Sequence, residues 1–146
     1  KDCVLRINEK KINNIYFELK NVQLDTATNA VAVLFRVFLE TSIDYYASKN
    51  GTSFSSNTKL TAKITHVANI LEKKKLADTK QLANIRKVSA KGNSILSIQN
   101  FNEYVHSFTV QPVPVDLIYK WDNLQEFFEI LFRDLISKNR SRKKTT

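Results

Sequence analysis

The sequence predicts an all-α fold, a bundle of five or six helices arranged around one long central helix. Three observations carry that expectation. Apolar residues recur at steps of three and four over most of the chain, which gathers them on one face of a helix that turns once every 3.6 residues. The 146 residues include only two glycines and two prolines, too few for the tight turns of a sandwich or barrel, which need residues that tolerate or fix unusual φ. No segment alternates apolar and polar positions convincingly enough to read as a sheet. With 42% hydrophobic and 25% charged residues, the composition is ordinary for one globular domain with a real core.

Each element follows from local pattern. Val4, Leu5 and Ile7 make a short extended arm, and Glu9 to Val22 places Ile12, Ile15, Tyr16 and Leu19 at helical spacing. The central helix begins near an Asp25 or Thr26 cap and carries Ala27, Val31, Leu34, Phe35, Phe38, Leu39 and Tyr46 to the Asn50-Gly51 stop. After a Ser/Thr-rich loop, Leu60, Ile64, Val67, Ile70 and Leu71 define a third helix whose lysines lie mostly off the apolar face. A shorter helix runs from the Asp78 cap to about Val88, and Lys91-Gly92-Asn93 breaks it. Ser94 caps the next, with Ile95, Ile98, Phe101, Asn102 and Val105 in step, until Pro112 and Pro114 force extended geometry. The last helix runs from about Val115 to Lys138, with Leu117, Trp121, Leu124, Phe128, Leu131, Phe132 and Leu135 facing inward. The chain thus divides into an arm and first helix (1–24), a bundle (25–137) and a basic, disordered tail (138–146).

The net charge of +9 is unevenly spread. Five cations fall in the last nine residues, and residues 59–91 hold nine more, Lys59, Lys63, Lys73, Lys74, Lys75, Lys80, Arg86, Lys87 and Lys91, against Glu72 and Asp78. Such a surface attracts phosphate backbones, so these nine residues are the candidate nucleic-acid contacts. The longest apolar run, Ala30 to Phe38, is interrupted by Arg36 and is too short to span a bilayer, so no membrane partner is expected. A lone Cys3 forms no internal disulfide, which fits a reducing, cytoplasmic compartment. Starting at Lys1, the chain is expected to be a piece of a longer protein whose N-terminal domain precedes it.

Inherited enzyme chemistry is sparse. Cys3, His66 and His106 cannot supply a zinc site, Gly51 and Gly92 begin no phosphate loop, and no Gly-x-Ser-x-Gly elbow exposes a serine, so neither metal nor cofactor is implied. The remaining candidate is the pair Asn102 and His106, four residues apart and so on one helix face, where the imidazole can serve as general acid or base or meet phosphate.

The long helix from Asn29 to Tyr46, the lysine-rich helix after it, the Asn102-to-His106 turn and the Trp121 helix together resemble the HEPN superfamily. That resemblance implies a helical bundle that dimerises and, in the family's ribonucleases, an arginine and a polar residue followed by histidine. His106 and Asn102 match the last two, while Phe101 stands where the arginine is usual. The resemblance therefore implies a non-catalytic module of a larger bacterial protein of defence or DNA processing. Its expected work is homodimerisation and sequence-independent binding of DNA or RNA. Two alternatives stand beside it. One is a metal-independent ribonuclease that uses His106 with Arg86 brought in by folding. The other is a protein-interaction domain presenting Tyr45, Tyr46, Trp121 and Phe127.

Overall fold

The computed structural model describes residues 4–90 and 97–143. These form six α-helices, α1 (Lys10–Asn21), α2 (Thr28–Lys49), α3 (Leu60–Lys73), α4 (Ala83–Ser89), α5 (Ile98–His106) and α6 (Pro114–Lys143), with no strand among the described residues. The expected all-α bundle is what the chain builds. The Lys91 break and the Ser94 cap lie outside the described residues.

The core is an aromatic column along α2. Phe38, fully buried, meets Tyr16 of α1 at 5.7 Å between ring centroids, Phe128 of α6 at 4.8 Å and Phe132 at 6.0 Å. Trp121 closes the column against Phe35 at 5.6 Å and Tyr16 at 6.2 Å. Successive contacts from α2 to α6 advance in the same direction, from Val31 with Leu117 through Phe38 with Phe128 to Tyr46 with Asp134. The two long helices therefore run parallel, and their C-termini share one end of the bundle. The arm docks by burying Leu5, whose backbone N–H donates to the Tyr16 hydroxyl at 3.1 Å.

Helix ends differ from the expected caps in instructive ways. At α1 the cap is a glutamate, Glu9, whose carboxylate accepts from the Ile12 N–H at 2.7 Å. Neither Asp25 nor Thr26 caps α2; the cap position is Ala27, which makes no side-chain bond, and the Thr28 hydroxyl instead donates back to the Leu24 carbonyl at 2.8 Å. Ser97 caps α5 by accepting from the Asn100 N–H at 3.2 Å. Asp78 and Gln81 exchange reciprocal bonds at 2.7 and 3.0 Å, but the turn they close precedes α4, which starts at Ala83. The expected disordered tail is a further correction, because α6 continues through residues 138–143. Lysine and arginine are good helix formers and suit the negative end of the helix dipole, so nothing in that segment stops the helix.

Candidate nucleic-acid interface

The end of the bundle where α2, α3 and α6 terminate is basic. Lys74 donates to Asp134 at 2.6 Å and to the Asn50 side-chain carbonyl at 3.4 Å, and Lys138 donates to the Lys49 carbonyl at 3.2 Å and to the same Asn50 oxygen. Two helix C-termini supply unpaired carbonyls here, and their dipoles hold cations close to one another. The Lys138 ammonium is pushed below its ordinary pKa, first by burial and then by the neighbouring charge of Lys74, with Arg142 adding to the repulsion. Asp134 is shared, since it also accepts from the Tyr46 hydroxyl at 2.7 Å, and burial with that bond drives the Tyr46 pKa upward. Exposed Lys73 and Lys75 flank Lys74, so the lysine triplet and the basic end of α6 meet at one pole.

The backbone at this pole is strained. α3 ends in a Schellman arrangement, with Leu76 N–H bonded to the Leu71 carbonyl and Lys75 N–H to that of Glu72, both at 3.0 Å. Lys75 takes the left-handed position (φ 59) that usually belongs to glycine.

The other expected contacts divide. Lys63 is spent on α2, paired with Asp44 at 2.9 Å and Glu40 at 3.9 Å, and Arg86 is spent on α3, bonded to Glu72 at 2.9 Å and Asn69 at 3.2 Å. Lys59, Lys80 and Lys87 are exposed, and none of the described carboxylates pairs with them. Lys59 lies at the start of α3, roughly 20 Å from the triplet at its end. Lys91 lies outside the described residues.

Asn102 and His106 share one face of α5, with Asn102 half-buried and His106 exposed. The guanidinium that meets this face belongs to Arg36 of α2, whose Nε donates to Asn102 Oδ1 at 3.0 Å while Nη1 pairs with Glu40 at 2.9 Å. Behind it, fully buried Lys120 of α6 donates to Asn100 Oδ1 at 2.7 Å and stands over the rings of Phe101 at 4.7 Å and Tyr104 at 5.4 Å. Tyr104 donates to Asp116 at 2.9 Å. Sequence reasoning missed both Arg36 and Lys120. His66 bonds to the Thr52 hydroxyl at 2.9 Å and lies edge-on to Phe54, which ties the loop after α2 to α3.

Of the expected partner-facing aromatics, Tyr46 and Phe127 are buried, and Tyr45 and Trp121 are partly covered by the core. The exposed apolar side chains lie elsewhere, chiefly Phe108, Val115, Ile118 and Tyr119 around the start of α6. Among the described residues no His/Cys/Asp/Glu group could hold a metal, and no helix is long and apolar enough to cross a membrane. Comparison with protein-family models, with curated proteins and with solved structures finds no match for this chain.

Proposed function

We propose that the protein is a non-catalytic, HEPN-like helical module that dimerises and grips nucleic acid by its phosphate backbone, as an accessory part of a larger protein. The observation that carries the binding reading is the basic pole, where the Lys73-Lys74-Lys75 triplet meets Lys138 and Arg142 although the two groups are distant in sequence. A lysine kept at a left-handed position supports it, because strain of this kind persists where a side chain is wanted more than stability. The HEPN-like and dimeric parts draw support from helix order, with a long second helix whose Arg36 meets Asn102 of α5.

Each lysine that neutralises a phosphate releases counterions, so affinity falls with salt and ignores base sequence. With Lys74 paired to Asp134, anisotropy titrations of labelled RNA and DNA should give a log-affinity slope of roughly −2.8 to −3.6 against log salt if about four phosphates are contacted. The double substitution Lys73→Glu, Lys75→Glu should weaken low-salt binding at least tenfold and flatten the slope, while Lys59→Glu changes it less. Absence of binding at low salt, or binding indifferent to salt, rules the proposal out.

One observation favours a second reading, a metal-independent ribonuclease: the Arg36 bond to Asn102 sets a guanidinium one helical turn from His106. In that reading Arg36 stabilises charge developing on phosphate and His106 moves the proton. Wild-type protein should then cut RNA, and Arg36→Ala and His106→Ala should each abolish cutting with the fold intact. Uncut RNA in the wild type removes it.

A further inference from the structure

At the opposite end from the basic pole, α1, α2 and α6 line a half-open cavity of about 330 Å³. Its floor is aromatic, formed by Tyr16, Phe35 and Trp121, and Leu24 and Val31 extend the apolar wall. Among the described residues, Lys20 is the one charged side chain that lines it. The size falls at the small end of ligand pockets, which run from about 300 to 1,000 Å³. Ring contacts of 6.2 Å between Tyr16 and Trp121 and 5.6 Å between Phe35 and Trp121 fix the floor, so the space is preformed. Lys20 is held at the rim with its ammonium 5.0 Å above the Tyr16 ring, and no described carboxylate pairs with it.

We infer that this cavity binds a small amphipathic monoanion, a molecule with an apolar body and one carboxylate or similar oxyanion. The apolar body lies on Trp121 and its neighbours, where burial drives binding, and the anion meets Lys20. A neutral apolar guest would leave that cation without a counter-charge, and a strongly polar one would waste the aromatic floor. The inference is independent of nucleic-acid binding, which uses the other end of the molecule.

Trp121 is the only tryptophan of the chain and lines this cavity, so its fluorescence responds to a guest there as well as to the aromatic core it packs against. Titration with octanoate should shift or quench that emission in a saturable way at millimolar concentrations, and octanol should bind less well. Lys20→Gln, a change on the exposed surface of α1, should weaken octanoate about three- to fivefold and leave octanol unchanged, the effect of one exposed ion pair. Leu24→Phe, in the partly exposed loop, should fill the space and abolish both responses. Unchanged emission with octanoate, or equal octanoate binding by Lys20→Gln, overturns the proposal. So does a Trp121 shift that follows protein concentration without ligand, since that would put a second copy over the cavity.

Discussion

Lys120 is the one charged side chain among the described residues that the fold buries completely, and its acceptor is a neutral amide. Burial lowers its pKa from 10.5 to about 8, with Asp116 opposing the shift, while burial and the Asp116 bond raise Tyr104 from 10.0 to about 12. Below pH 8 both folded and unfolded chains hold the Lys120 proton; between pH 8 and 10.5 the unfolded chain holds more, so stability rises with pH. Above pH 10 the tyrosine acts in the opposite sense, since the folded form keeps a proton that the unfolded form loses, and stability falls. Urea midpoints should therefore climb between pH 8 and 10, reflecting a gain of about 2 kcal/mol at most in unfolding free energy. Lys120→Met should flatten that climb and raise stability at pH 7, because replacing a buried, unpaired cation with an apolar chain removes its desolvation cost. A decrease in the midpoint of the wild type across that window would refute this account. Both residues that sequence reasoning passed over left a trace. Arg36 stands inside the apolar run Ala30 to Phe38, and Lys120 falls between Leu117 and Leu124 on the inward stripe of α6, so each is a charge where the pattern asks for a hydrophobe. What that pattern does not contain is the partner, because Asn102 is 66 residues away from Arg36.

Among the elements, α2, α3 and α6 were legible because their apolar stripes are long, and periodicity is decisive when it is sustained over several turns. The ends were less so. Capping depends on which nearby polar group happens to bond, and three serine, threonine or aspartate candidates compete at the start of α2, where none of them caps the helix. At α5, Ser97→Ala should cost about 1 kcal/mol by freeing the Asn100 N–H, and faster hydrogen exchange at that amide would check it. The end of α3 tests strain against function. Lys75→Gly should stabilise the protein by about 1 kcal/mol because glycine adopts the left-handed position freely. The same change should weaken nucleic-acid binding. Thermal melting paired with anisotropy would show both effects, and a neutral or destabilising result in melting would remove the strain argument.

At the scale of the whole molecule, the basic pole was invisible in the sequence because its parts lie at residues 49–50, 73–75 and 134–142. Charge counts located the lysine triplet and the terminal cations separately; only the packing of the end of α3 beside the ends of α2 and α6 brings them together. The parallel course of α2 and α6 also separates the chemistry along one axis. From Arg36 to Lys49 is thirteen residues of helix, roughly 20 Å, and duplex phosphates on one strand are spaced about 3.4 Å apart. A duplex seated on the terminal lysines would therefore need on the order of six base-pair steps before it could also touch Arg36 of α2 and the His106 imidazole of α5. If the proposed binding holds, that separation acts as a ruler, and a series of duplexes of graded length should show affinity breaking upward near that span.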